Sequence, residues 1–207
     1  MPAVSKYFLL LFMLAFSTGV SAQLMEEDTT THQPFFKAKK FNSKCYVGLE
    51  AVATQMLKTK AGMNTGISLN WVINHKYVIS AKYYALSSPL NIEPTVVPDQ
   101  PQANISLKHQ FAGLGFSYIL FNNKMFSFQP EISAGWSNIS YTYLTNTYHK
   151  NFGEIIPAVY GVYNCTKYFR LGAGLNYRAT IGASLNGLKD SQISGVSGVI
   201  FIRVGTF

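Results

Sequence analysis

Charge is scarce in this chain: Asp, Glu, Lys and Arg make up 13% of its 207 residues, about half the share of an average soluble domain. So little charge argues against an ordinary solvated surface and for a membrane or deeply buried fold. Cysteine is almost absent. Cys45 and Cys165 are the only two, which excludes a disulfide scaffold and leaves one bridge open in an oxidising compartment. The four histidines show no HxH or HExxH spacing, and there is no CxxC. No metal site or cofactor is therefore expected.

Long apolar runs are also missing. After residue 22 nothing approaches eighteen consecutive apolar residues, so no transmembrane helix is expected. The run that does exist, Tyr7–Phe16, follows Lys6 and precedes the small-residue site Val20-Ser21-Ala22. That pattern reads as a secretory signal peptide over residues 1–22. No cysteine follows the cleavage site, so a lipoprotein anchor is not expected. Losing Lys6 with this segment lowers the net charge from +8 to +7. The remaining basic residues are scattered singly, which argues against a nucleic-acid partner. The excess is expected at two rims, near lipid phosphates and sugars.

What is present is alternation. Over residues 126–137, Phe126, Phe128, Pro130, Ile132, Ala134 and Trp136 share one face. Ser127, Gln129, Glu131, Ser133, Gly135 and Ser137 share the other. A period of two is a β-strand with unlike sides. The polar side holds small residues and one carboxylate, without a Lys or Arg fringe. That suits the interior of a small barrel whose apolar side faces lipid. Residues 66–73, 77–85 and 168–181 repeat the pattern.

Eight strand-like stretches follow residue 44: 45–57, 63–73, 77–86, 105–120, 126–143, 153–163, 168–181 and 195–207. Short connections at 74–76, 121–124 and 164–167 alternate with longer ones at 87–104, 144–152 and 182–194, and a tight one lies near 58–62. An even strand number with short turns at one end and long loops at the other predicts a membrane barrel. The expected class is all-β: an eight-stranded antiparallel up-and-down transmembrane β-barrel with short periplasmic turns and longer extracellular loops. The expected organisation is a signal peptide (1–22), a flexible N-terminal periplasmic segment (23–43) and the barrel (44–207).

Aromatic residues gather near the strand ends, as interfacial girdles require. Trp71, Tyr77, Tyr118, Phe121, Phe126 and Phe169 lie by the short turns; Tyr83, Phe111, Tyr141, Tyr143 and Phe152 lie by the long loops. Pro130 and Pro157 fall inside strands, where a missing N–H predicts local bulges. A phase slip near Asn138 points to one. Stretch 153–163 alternates poorly, because Ile156 and Val162 share the face of Glu154 and Tyr160.

The signal peptide, the eight strands, the alternating connections and terminal Phe207 together resemble the small outer-membrane β-barrel protein family of Gram-negative bacteria. That family includes porin-like eight-stranded barrels and PorT-like, secretion-associated barrels. The segment Val199–Phe207 resembles the family's aromatic-ended C-terminal assembly signal. It departs from the usual pattern because Arg203 and Gly205 share the face of Phe207. The resemblance implies outer-membrane lipids and the outer-membrane assembly machinery as partners.

An eight-stranded barrel is narrow enough for side chains to fill, so inward polar groups must satisfy one another. Glu50, Lys82, Glu131 and Arg203 each sit four or five residues from the short-turn rim. At ~3.3 Å per residue they share one layer, and Arg170, nearer the rim, is placed to join it. These five residues form the expected lumen charge cluster. Fixed plugging is the favoured reading; a gate that exchanges partners is the alternative.

Catalysis would need a Ser/His/acid set near one rim. His32, His75, His109 and His149 lie in the tail, a short turn, a strand and a long loop. His109 lacks the His-x-Ser of lipid A deacylases, so no enzyme is expected. Three N-x-S/T matches (Asn104, Asn138, Asn164) have no role in a bacterial barrel. Pro89, Pro94, Pro98 and Pro101 stiffen the loop 87–104, which could present a surface to an extracellular partner. A soluble lipocalin-like barrel would need a charged exterior that the Ser, Gly and Asn face does not supply. The expected protein is a monomer in the cell outer membrane with a structural or interaction role. The alternatives are a narrow pore or secretion-associated barrel, and a lipid-modifying enzyme.

Overall fold

The computed structural model describes residues 43–56, 60–88, 90–92, 105–121, 125–143, 146–184 and 189–207. The expected signal peptide, nearly all of the N-terminal segment and the four prolines of loop 87–104 lie outside them.

Among the described residues nine strands follow in chain order: β1 (Ser43–Met56), β2 (Lys60–Ile73), β3 (Tyr77–Leu86), β4 (Leu90–Ile92), β5 (Ile105–Tyr118), β6 (Phe126–Tyr143), β7 (Asn146–Asn164), β8 (Phe169–Ile181) and β9 (Gly195–Gly205). A single-turn helix, α1 (Asp190–Ile193), precedes β9. Each long strand pairs antiparallel with its sequence neighbour; β3 pairs with β5, and β1 closes the circle on β9. The eight long strands thus form a closed up-and-down barrel. Closure leaves no unpaired edge. The short β4 pairs with the far end of β5, so the expected loop 87–104 contains a strand.

The short-turn end is fixed by local chemistry. Asn74 and His75 adopt φ of 51° and 57°, and Lys76 N–H donates to the Ile73 carbonyl at 3.1 Å. This is the tight, left-handed two-residue turn that suits the twist of a hairpin. At the opposite end two expectations change. Residues 146–152, expected in a long loop, belong to strand β7. Strand β7, at 19 residues, is the longest among the described residues, and its hairpin with β6 stays in register from Phe126↔Tyr163 to Tyr143↔Asn146.

There is no bulge at Asn138 or at either proline. Pro130 removes one rung from the β5–β6 ladder, which resumes in the same register at Leu120↔Phe128. Pro157 does the same between β7 and β8, where Gly153–Ile155 and Ala158–Asn164 keep one register. A proline lacks a single N–H, so each breaks one ladder locally and shifts nothing.

The slip at Asn138 is an inversion of polarity rather than of phase. Ser137, Ile139 and Tyr141 all remain buried. Beyond Trp136 the inward residues become apolar and the outward ones polar. In β5 and β7 the outward residues turn polar in the same row, where Ala112↔Trp136↔Gly153 is followed by Gln110↔Asn138↔Asn151, while their inward positions hold His109 and Lys150 as well as Leu107 and Phe152. Below the switch the outer wall is apolar: Leu114, Ile132, Trp136, Leu175, Ile181 and Ile200 are all more than half exposed. Ten residue steps, from Phe126 to Trp136, span about 33 Å of strand, or roughly 25 Å along the axis at a tilt of ~40°. That is the height of the apolar band on a membrane barrel.

This inversion also corrects one girdle. Phe111, Tyr141 and Phe152 occupy inward positions and are buried inside the barrel. Tyr83, Trp136 and Tyr177 are the exposed outer aromatics of that half. The ring at the short-turn end does face outward, through Trp71, Tyr77, Phe121 and Phe126.

Strands β5 and β6 approach closely where Gly113 faces Gly135. A Cβ on Gly135 would lie 2.2 Å from the Ala112 carbonyl oxygen, and one on Gly113 would lie 2.5 Å from that of Ala134. Backbone cannot yield as a flexible side chain does. Gly135→Ala is therefore expected to lose about 2 kcal/mol in urea unfolding. Gly161→Ala, where the nearest atom would be 3.8 Å away, serves as the near-neutral control.

A layered lumen as the candidate functional site

Alternation sends every second side chain inward, and the lumen is filled in layers. At the short-turn rim Tyr46, Val72, Val78 and Ile119 form an apolar floor. Phe207 completes it, its ring 4.8 Å from Tyr46. Gly205, at φ 149°, allows the chain to turn there. A Cβ on that glycine would lie 2.6 Å from the Cys45 carbonyl oxygen.

Above the floor lies the layer of buried charge. Lys82 Nζ sits 2.5 Å from Glu131 Oε1 and 3.9 Å from Glu50 Oε2. Ser133 Oγ donates to Glu131 at 2.9 Å, and the Tyr84 hydroxyl donates to Glu50 at 2.5 Å. Arg203 reaches the same layer by another route. Its Nη1 donates to Gln129 Oε1 at 2.7 Å, and Gln129 Nε2 donates to Ser117 Oγ at 2.5 Å. The Arg203 guanidinium also lies 3.9 Å from the Phe201 ring centre, a cation–π contact.

Four of the five cluster residues are thus brought together, with Gln129, Ser133 and Tyr84 as partners that spacing did not single out. Arg170 stands apart. It faces Arg203 across the β8–β9 ladder and stacks on the Phe207 ring at 3.9 Å. Like charge on its neighbour and the aromatic floor beside it account for that position.

An apolar layer comes next: Val52, Tyr84, Phe111, Ile156, Ala158, Tyr160, Val162, Val199 and Phe201. It explains the poor alternation of 153–163. Ile156 and Val162 share the face of Glu154 because they pack into this apolar layer.

A second polar set follows. His109 Nε2 lies 3.0 Å from Glu154 Oε1, and Arg178 Nε lies 3.7 Å from the same oxygen. Arg178 also donates to the Ile193 carbonyl from Nε at 2.9 Å and from Nη2 at 2.7 Å. A cavity of about 20 Å³ lies beside this set, lined in part by Asn64, His109, Glu154 and Ser197. Sequence reasoning missed the constellation because its members lie far apart along the chain. The available signal was parity, which places His109 inward between Leu107 and Phe111. Above it Met56, Leu107, Ile139, Tyr141 and Ile193 are buried, so apolar side chains also occupy the long-loop end.

The fully buried charges balance, Glu50, Glu131 and Glu154 against Lys82, Arg178 and Arg203, with half-buried Arg170 as a further cation at the floor. Among the described residues Asp190 is the one acid that is not buried, whereas Lys76, Lys108, Lys150, Lys167 and Lys189 are exposed. Cys45 and Cys165 are both free thiols.

No protein-family model and no curated protein sequence matches the chain. Solved structures do. Neisserial surface protein A superposes with a TM-score of 0.61 at 14% identity, over 82% of this chain and 100% of that one. Ail, the attachment invasion locus protein of Yersinia pestis, superposes with a TM-score of 0.50 at 10% identity, over 80% and 97%. Ail in complex with the heparin analogue sucrose octasulfate gives 0.52 at 9%, over 82% and 100%. The chain has the closed eight-stranded fold of these small outer-membrane barrels.

Proposed function

We propose that the protein is an integral barrel of the bacterial outer membrane, closed to solute flow, that acts through the parts it exposes beyond the bilayer. The observation that carries this reading is the filled lumen, in which balanced buried ion pairs alternate with apolar layers. A lumen of this kind holds the barrel's shape and leaves no aqueous path. The apolar outer wall, about 25 Å tall, suits the hydrocarbon core of that membrane. The short turns face the periplasm, and the long-loop end, with the tall β6–β7 hairpin, faces outward. The role is structural or interactive and not enzymatic, and the working unit is a monomer.

Planar-bilayer recording tests closure. The expected wild-type result is no steady conductance. A steady open level, unchanged in Glu131→Gln, would defeat the plug. Whole-cell labelling with a membrane-impermeant thiol reagent tests placement. A cysteine introduced at exposed Ser191, on α1 at the long-loop end, in a background with Cys45 and Cys165 replaced by Ser, is expected to react on intact cells. Protection there, with labelling only after cell lysis, would reverse the orientation.

A further inference from the structure

We propose that the polar outer face of the β5–β6–β7 extension seats the phosphorylated sugar headgroup of an outer-leaflet glycolipid. This rests on the membrane placement proposed above. The face begins where the apolar wall ends. Register places Gln110, Asn138 and Asn151 in one outward row, and Lys108, Ser140 and His149 in the next. Lys108, Gln110, His149 and Asn151 are exposed, and Ser140 and Asn138 are half-buried.

Direction and height select the occupant. Paired residues of an antiparallel ladder point to the same side, so these rows continue the face of Leu114, Ile132 and Trp136 and point away from the barrel axis. A ligand approaching the lumen mouth would not meet them; a lipid standing beside the barrel would. The row of Lys108 and His149 lies four residues beyond the level of Trp136, which is about 13 Å of strand. At a tilt of ~40° this is roughly 10 Å along the membrane normal. The polar zone on each side of a ~30 Å hydrocarbon core lies at that level.

The chemistry fits the same occupant. Lys108 is a cation and the His149 ring carries an N–H donor, while no described carboxylate occupies either row. Phosphate is thus attracted without an opposing acid. The hydroxyl of Ser140 and the amides of Gln110, Asn138 and Asn151 match sugar hydroxyls as both donors and acceptors. Asn138 Nδ2 already donates to Asn151 Oδ1 at 2.7 Å, which holds the two amides in place.

The test uses the purified protein in phosphatidylcholine nanodiscs, titrated with a bisphosphorylated lipid A-core glycolipid and with its dephosphorylated form. Wild type is expected to bind the phosphorylated form at least tenfold more tightly. Lys108→Ser with His149→Ser should abolish that preference, whereas Lys76→Ser with Lys167→Ser, at the opposite rim, should keep it. Heat-modifiable migration reports folding, and Lys108→Gln with His149→Gln replaces the serine pair if the latter fails to fold. Absence of a phosphate preference in wild type, or its survival in the Lys108/His149 variants, would overturn the proposal. Nanodisc binding does not depend on orientation in the cell, so its failure is distinct from failure of the whole-cell labelling.

Discussion

Lys82→Met is expected to destabilise the barrel by about 3–5 kcal/mol, the range seen when one member of a buried ion pair is removed. Lys82 is the hub of the lower charge layer, 2.5 Å from Glu131 and 3.9 Å from Glu50, with side chains about 1% exposed. Its loss leaves two carboxylates in a space sealed by the Tyr46 floor and the Phe201 layer. Glu131→Gln is the milder change, because Lys82 keeps Glu50 and Gln retains an oxygen for Ser133. The double variant Lys82→Met/Glu131→Gln removes opposite charges together. It should recover a large part of the loss, with a coupling of roughly 2 kcal/mol or more. Urea unfolding from lipid vesicles, followed by heat-modifiable migration, measures all three. Additive losses in the double variant would show that the pair does not act as a pair.

Arg178→Met is expected to release the β8–β9 connection. Arg178 joins the upper polar set to α1: it contacts Glu154, donates twice to the Ile193 carbonyl and once to the Gln55 carbonyl at 3.4 Å. Thr180 adds to the anchor, with Oγ1 donating to the Asp190 carbonyl at 3.0 Å. Removing the guanidinium strands the Ile193 carbonyl and leaves the Glu154 carboxylate with His109 alone, at an expected cost of about 3 kcal/mol. The local readout is amide exchange: residues 189–194 should lose protection while the β1–β9 ladder keeps it. Arg178→Lys should restore the charge next to Glu154 but not the forked pair of bonds to Ile193. Equal protection in Arg178→Met and wild type would show that α1 is held by its apolar contact through Ile193 alone.

Much of this was legible in the chain. Period-two patterning placed β3 and β6 at their observed bounds and assigned the faces of β2, β3 and β8, because a strand with unlike sides leaves no choice of register. Glu50, Lys82, Glu131 and Arg203 could be placed in one layer because strand rise is constant. Arg170 could not: its counterpart Phe207 enters the interior only through the turn at Gly205. His109, Glu154 and Arg178 were invisible as a group, since no local spacing records which strands close the circle. The prolines misled for a related reason. Sequence shows that an N–H is missing but not toward which neighbour it would have pointed, so one lost rung resembled a bulge.

The sequence alone determined the alternation, the even number of long strands and the apolar wall, because these depend on local geometry and on the side of the sheet each residue occupies. It also marked the irregularity near Asn138 in β6, but as a phase slip that suggested a bulge rather than as an inversion of polarity. Only the tertiary structure showed that the outward face becomes polar in the same row of β5, β6 and β7, turning an irregular strand into a barrel wall that rises past its apolar band. Closure likewise decided which buried charges meet. Contacts across the barrel join residues far apart in the chain, 49 positions for Lys82 and Glu131 and 74 for Gln129 and Arg203, and their partners are set by the pairing of every strand between them.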